Sequence, residues 1–330
     1  MKKRLLTILM ILMLLFSLMP AQAFAEKAEA EAGLKYLNIG DSIAAGLSAL
    51  PNEEDYFAQY AGYLGEENLF RFYSPIPELP MPPYTWDDGA YNLGFPGLDS
   101  IELLKALNNE FLPSMTDPHY ALQVQLLNLI PQADVITISI GGNNLLTPVI
   151  ASVFDMYDLE PGVDDENDLM AAIIAGGEAN WNANLQAFVM SALSSDYPSL
   201  GWFLETRTAQ FLEDWPAILD QIELLNPEAH IIAMTLYNPI EKDDCEALFE
   251  RYEALVRPMN MAMRMTQNRA MLANVANAFR KEPDAVAFRL TWMDAGMMMP
   301  PVLIDPHPTT IGHQLIFEEL MKVRNPRAFQ

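Results

Sequence analysis

The sequence predicts an α/β protein with three layers, α/β/α, around a mainly parallel central sheet. Three observations carry this. Continuous apolar runs of strand length recur along the chain, Ala133 to Ile140 (ADVITISI) and Ala229 to Leu236 (AHIIAMTL). Such runs read as strands buried on both faces, as in a parallel sheet covered by helices. Long segments of helical character lie between them, so that strand and helix alternate. Each run also stops at residues that turn the chain, Gly141-Gly142 after the first and Asn238-Pro239 after the second.

The elements follow in order. Leu34 to Ile39 (LKYLNI) forms a first strand that stops at Gly40. Ser74 to Pro83 is too proline-dense for helix or strand and reads as a loop. Asp88 to Leu93 makes a short strand before Gly94, and Leu98 to Leu107 and His119 to Leu129 have helical periodicity. Asp155 to Asp168 is acidic and contains Pro and Gly; it reads as a surface insertion leading into a helical cap near Leu169–Leu204. Further helices are predicted near Asn180–Leu193, Thr206–Leu225, Cys245–Phe279 and Thr309–Lys322, with a weaker strand from Val286 to Trp292. With no repeat and no clear linker, residues 26–330 read as one domain with a helical insertion around 155–205.

Residues 1–25 have the layout of a secretory signal peptide. Lys2, Lys3 and Arg4 precede an uncharged run from Leu5 to Met19, then Pro20 and Ala23-Phe24-Ala25. An uncleaved anchor is the alternative, but the run is short for a span of roughly 20 residues. Cleavage after Ala25 leaves 305 residues and moves the net charge from −25 to −28, because three basic and no acidic residues depart. The expected location is therefore outside the cell or in the cell envelope of a bacterium, with no membrane span after cleavage.

Composition excludes several classes. The chain has 44 Asp+Glu against 19 Lys+Arg, a balance that repels phosphate backbones, so nucleic acid is not an expected partner. At 51% hydrophobic residues it is too apolar to be disordered. The single cysteine permits no disulfide and no Cys-based zinc site. Cys245 lies in Asp243-Asp244-Cys245-Glu246, an acidic setting that disfavours a thiolate, so it reads as a partly buried helix residue and not as a nucleophile.

In a doubly wound sheet, ligands bind at the carboxyl ends of the strands. Gly40-Asp41-Ser42 follows the first strand, Asn92-Leu93-Gly94-Phe95-Pro96-Gly97 comes next, Gly141-Gly142-Asn143-Asn144 follows the strand from Ala133, and Asp305-Pro306-His307-Pro308 opens the last helix. Hydroxyl, imidazole, carboxylate and amide groups gathered at one sheet edge are what ester hydrolysis needs. In this order the blocks resemble those of the GDSL, or SGNH, hydrolases, from Tyr36 to about Ile316. The resemblance implies the flavodoxin-like SGNH-hydrolase fold. It also implies Ser42 as nucleophile and His307 as base, with the Ser42 and Gly97 backbone N–H groups and the Asn143 amide as the oxyanion hole. No cofactor and no metal is implied.

The chain departs from the family pattern in two places. Asn144 stands where Asp is common, in a supporting position. Asp305 lies two residues before His307, not three. Pro306 biases Asp305 toward extended backbone, and residues two apart on an extended chain point to the same side, so Asp305 is expected to reach the ring as orienter. Asp294 on the preceding loop and a backbone carbonyl are the alternatives. Simpler readings stand beside these. Ser42 suits a helix N-cap, and Asp41 a loop-tuning role more than a metal ligand. His313 falls one to two turns into the last helix, and His119 and His230 have no partner signature. Met293 and Met297 to Met299 suit packing, with an acyl pocket as the sharper role for the last three. Trp181, Phe188, Trp202 and Phe203 either cover a lipid chain or merely pack.

The expected activity is a secreted carboxylic ester hydrolase that works through a Ser-His-Asp triad and an acyl-enzyme. Its substrate would be a lipid, a lysophospholipid or an acetylated sugar. Carbohydrate or peptidoglycan O-deacetylation, and a non-catalytic exported binding module on the same fold, are the other readings. The sequence leaves the oligomeric state open.

Overall fold

In the computed structural model the described residues are 34–49, 55–73, 84, 86, 89–114, 116–161, 163–293 and 300–323. The signal segment, the proline-dense loop, Asp294 and Met297 to Met299 lie outside them.

The chain opens with β1 (Tyr36–Gly40), a one-turn helix α1 (Ser42–Ala45), α2 (Tyr56–Leu64), β2 (Leu69–Arg71) and β3 (Ala90–Gly94). Then come α3 (Ser100–Leu107), α4 (Pro118–Leu129), β4 (Val135–Ser139), α5 (Gly142–Asp155) and two long helices, α6 (Glu166–Leu193), broken at Gly177, and α7 (Leu200–Leu225). The last part holds β5 (His230–Met234), α8 (Glu246–Met265), β6 (Met271–Ala273), α9 (Val275–Phe279), β7 (Val286–Arg289), β8 (Leu303–Pro308) and α10 (Thr310–Lys322).

The central sheet has six strands in the order β2-β3-β1-β4-β5-β6, and every pairing is parallel. Without the three-residue edge strand β2, the order is the 2-1-3-4-5 winding of flavodoxin-like sheets. The α/β expectation holds. Alternate residues of each strand feed two separate cores. Leu37, Ile39, Leu93, Ile136 and Ile138 pack on the side of α3, α4, α7 and α8; Tyr36, Ala90, Val135 and Ile232 pack on the side of α2, α9 and α10. Burial on both faces is why β1, β3 and β4 contain no exposed position.

Two expectations need correction. Val286 to Trp292 is no strand of the main sheet. Its first four residues pair antiparallel with β8 in a separate two-stranded ribbon. Burial alternates along β7, as suits a half-exposed ribbon, and the prolines of β8 are tolerated because a two-stranded ribbon has only edges. Consequently Asp305 and His307 reach the site from this ribbon and not from an end of the parallel sheet. The helix expected over Cys245–Phe279 is in fact α8, then β6, then α9. The polar stretch from Thr266 ends α8, and β6 is too short to announce itself beside it. Cys245 is the residue just before α8 and is half-buried. Gly142 opens the first turn of α5, directly after β4.

One buried row ties the sheet together. Asn38, Asn92 and Thr137 are register partners on β1, β3 and β4, and all three are buried. The Asn38 carbonyl accepts from Tyr56 Oη at 2.9 Å and Thr137 Oγ1 at 2.7 Å, while its amide donates to the Ala44 carbonyl at 2.9 Å and to Asn92 Oδ1 at 3.2 Å. Asn92 adds a second donor to Ala44 O at 2.8 Å. Replacing Asn38 with Leu keeps the volume but strands the Tyr56 hydroxyl and removes a donor from α1. Buried groups left unpaired cost on the order of 3 kcal/mol here. Urea unfolding of Asn38→Leu is expected to show that loss, and a midpoint equal to wild type would refute the role.

Candidate active site

Ser42 is the first residue of α1 and 6% exposed. The N-cap is Asp41 and not Ser42: the Asp41 side chain accepts from the Ile43 N–H at 3.0 Å. Ser42 is thereby free to present its hydroxyl elsewhere. β1 and α1 meet at a sharp corner. Gly40 has φ +135° and runs against the Ser139 backbone, where a Cβ would collide, and Gly94 lies as closely under the backbone of α1.

His307 Nε2 lies 2.8 Å from Ser42 Oγ. On its other side, Nδ1 lies 2.5 Å from Asp305 Oδ1, which also accepts the His307 backbone N–H at 3.0 Å. The two-residue spacing works because β8 is extended and sends both side chains to one face. Since Asp305 accepts from Nδ1–H, Nε2 is left to accept the Ser42 proton. Burial would raise the Asp305 carboxyl, but hydrogen bonds from the His307 ring and backbone and from Ser48 outweigh it, so the carboxyl is held below its ordinary value. Among the described residues, no cluster of metal-ligating side chains occurs.

Asn143 sits in the first turn of α5, buried, and its amide donates to the Leu98 carbonyl at 3.0 Å. Gly97, adjacent to Leu98, is exposed in a turn with φ +87° and does not line the cavity described below. Asn144 is fully buried and binds α3: its Oδ1 accepts the Ser100 N–H at 3.1 Å and its amide donates to Ser100 Oγ at 2.7 Å. An Asp could accept but not donate, which accounts for the amide here. Of the other histidines, His313 is buried in the first turn of α10 and bonds the Leu47 carbonyl, whereas His119 meets Asp117 and Glu102 between Phe95 and Phe111. His230 opens β5.

Sequence reasoning missed three residues of the site. Ser48 Oγ donates to Asp305 Oδ2 at 2.7 Å, Tyr237 Oη donates to the Pro306 carbonyl at 2.6 Å, and Ser139 Oγ donates to Asp41 Oδ1 at 3.1 Å. A Ser in a turn and a Tyr after a strand carry no signal of such distant partners.

Ser42, Asn143 and His307 line a cavity of about 880 Å³. Its wall is mostly apolar. Leu146, Val149 and Val153 contribute one face of α5, and Trp181 and Leu185 come from α6. Along α5, Asn143 to Phe154 spans roughly 16 Å at the usual rise per residue. Of the aromatic residues singled out in the insertion, Trp181 and Phe188 line this cavity. Trp202 and Phe203 instead pack with Tyr197.

No family model and no curated protein matches the chain. Among solved structures, the chain is similar to a lipase from a goat rumen metagenome, at 15% identity over 88% of this chain and 97% of that one, with a TM-score of 0.49. It is also similar to an extracellular lipase from Streptomyces rimosus (14% identity, 88% and 100% covered, TM-score 0.45). A third is a member of the lipolytic G-D-S-L family from Veillonella parvula (11%, 88% and 98%, 0.43).

Asp41 carries a pH prediction. Burial pushes its carboxyl up to about 6, against the donors Ser139, Ile43 and Ala44 and the nearby His307. A raised carboxyl contributes stability at pH below its unfolded value, and that contribution is lost as pH rises through 6; above this the buried anion costs on the order of 3 kcal/mol. Asn at this position keeps the accepting oxygen without the charge. Thermal melts should therefore find Asp41→Asn more stable than wild type at pH 8, with the gap closing toward pH 4. A gap that does not change with pH would contradict this.

Proposed function

We propose that the protein is a serine ester hydrolase of the GDSL type, acting on esters with an apolar acyl chain. The observation that carries the reading is the hydrogen-bonded line from Asp305 through His307 to Ser42 at the wall of a large apolar cavity. His307 takes the proton from Ser42 Oγ as the oxygen attacks the ester carbonyl, and Asp305 fixes the ring and stabilises its charge. The oxyanion is received by the backbone N–H of Ser42 and by the Asn143 amide, whereas Gly97, expected as a third donor, is exposed and outside the cavity. His307 then returns its proton to the leaving alcohol, and water, activated by the same base, releases the acyl group. Neither cofactor nor metal enters these steps. Residues 26–330 make up one such domain, with the helices after Asp155 as the insertion that walls the cavity. Export follows from the basic start, apolar run and Ala-x-Ala pattern of residues 1–25.

The size of the cavity favours a longer acyl chain over O-deacetylation, because an acetyl group would leave most of it unfilled. Each methylene buried in such a wall contributes about 0.8 kcal/mol, roughly fourfold in kcat/KM if realised in the transition state.

A series of p-nitrophenyl esters from acetate to octanoate should show kcat/KM rising with chain length. A peak at acetate would overturn the acyl-chain reading. Ser42→Ala should abolish turnover, and retained activity would overturn the hydrolase mechanism. Asn143→Ala should lower kcat about a hundredfold, near 3 kcal/mol for a lost oxyanion donor, and a KM effect alone would remove Asn143 from that role.

A further inference from the structure

We propose that Ser48 is a positioning residue for the triad, the contact that lets an Asp only two residues ahead of the His serve as its orienter. This rests on the roles given above to Ser42, His307 and Asp305.

The two-residue spacing creates a problem of geometry. Asp305 Oδ1 closes back on its own strand, accepting both the His307 N–H and the His307 ring. This short loop is an Asx-type turn. It engages one carboxylate oxygen and leaves the other to swing, and the side chain is 47% exposed, so water competes for it. Ser48 supplies the missing restraint, donating to Oδ2 at 2.7 Å from a segment 257 residues away in sequence.

Ser48 is itself held in an uncommon backbone conformation. Its φ is +66°, in the left-handed region that non-glycine residues rarely adopt. The surrounding turn enforces it. Gly46 ends α1 at φ +85°, the Leu47 N–H returns to the Ser42 carbonyl at 3.1 Å, and the Leu47 carbonyl accepts from Nε2 of buried His313 at 3.0 Å. The His313 ring stacks on Tyr56, with centroids 5.8 Å apart. This anchored turn follows the helix that carries Ser42.

One short piece of chain, Ser42 to Ser48, therefore grips the β8 arm at both ends. Ser42 Oγ meets His307 Nε2 and Ser48 Oγ meets the carboxylate behind the ring. Tyr237 holds the Pro306 carbonyl between them. Nucleophile and orienter are thus tied to the same turn, and His307 is strung between them.

Glycine at position 48 removes the hydroxyl and relieves the backbone, so it separates the two roles. Ser48→Gly should melt at or above the wild-type temperature yet lose about tenfold in kcat on p-nitrophenyl butyrate with KM nearly unchanged, the size expected for a lost hydrogen bond to a charged group. Ser48→Asn, which tolerates the left-handed region and carries a donor, should recover most of the rate. Proton NMR gives a readout without substrate: the low-field His307 Nδ1–H resonance should be present in wild type and in Ser42→Ala, and broadened or shifted upfield in Ser48→Gly. Full kcat together with an unchanged resonance in Ser48→Gly would overturn the proposal. So would a rate loss that only tracks melting temperature, or a Ser48→Asn variant no better than Ser48→Gly. Turnover surviving in Ser42→Ala would sink the hydrolase reading instead, and the NMR comparison would still decide the contact to Asp305.

Discussion

The position of Ser42 depends on two buried amides. Helix α1 is one turn long, too short to persist in water on its own, and its last carbonyls have no donors within the helix. The Gly46 and Leu47 N–H groups beyond its end serve Ile43 and Ser42, and Asn38 and Asn92 serve the third carbonyl, both donating to Ala44 O from adjacent strands. Both side chains are buried and would be costly there unpaired, so each is bonded on its other atoms too, Asn38 by Tyr56 and Thr137, Asn92 by the Gly94 N–H. The sheet register thus sets the position of α1. With Gly94 offering no Cβ beneath it, the helix settles directly on the strand ends, and the Ser42 hydroxyl inherits the rigidity of the sheet.

His307 comes from less rigid material. β8 belongs to a two-stranded ribbon beside the main sheet, so His307 gains no support from the parallel ladder. Side chains compensate. Tyr237, just past β5, ties the ribbon to the main sheet through the Pro306 carbonyl, and Asp305 bonds its own strand. Two carboxylates bracket the imidazole in different ways. Asp305 is in direct contact and has its charge stabilised by donors, whereas Asp41 is buried one residue before Ser42 and has its charge disfavoured. A site that needs one firm anion beside the ring obtains it from the half-exposed residue, and the buried one serves as the cap of α1.

Much of this was legible in the residues. The apolar runs at β1, β4 and β5 announce a parallel sheet because burial on both faces leaves no polar position to disguise them. Asp305 could be assigned from a spacing that departs from the family pattern, because period-two geometry holds on any extended segment. What stayed hidden is physical. Three-residue strands such as β2 and β6 exist through pairing with a neighbour, and nothing in so short a segment encodes the partner. Val286 to Trp292 looked like a core strand by composition, although its first four residues form a half-exposed ribbon strand. The Asn38 and Ser48 contacts join segments that only the finished fold brings together, and an Asn in a strand or a Ser in a turn has many local uses.

Surface and cavity then divide the work of selection. A chain with a formal charge of −25 draws no anionic aggregate toward itself. The cavity beside Ser42 does not attract one either, since the charged residues along its mostly apolar wall are carboxylates apart from Arg251. On the function proposed above, attraction comes from apolar area, which is non-directional and cannot by itself place a carbonyl against a hydroxyl. Direction comes from the few polar groups at Ser42, Asn143 and His307. The line through them is held from outside by Ser48, which bonds Asp305, and by Tyr237, which bonds the Pro306 carbonyl between Asp305 and His307. An acyl chain free to slide along an apolar wall needs a reaction centre that does not move with it.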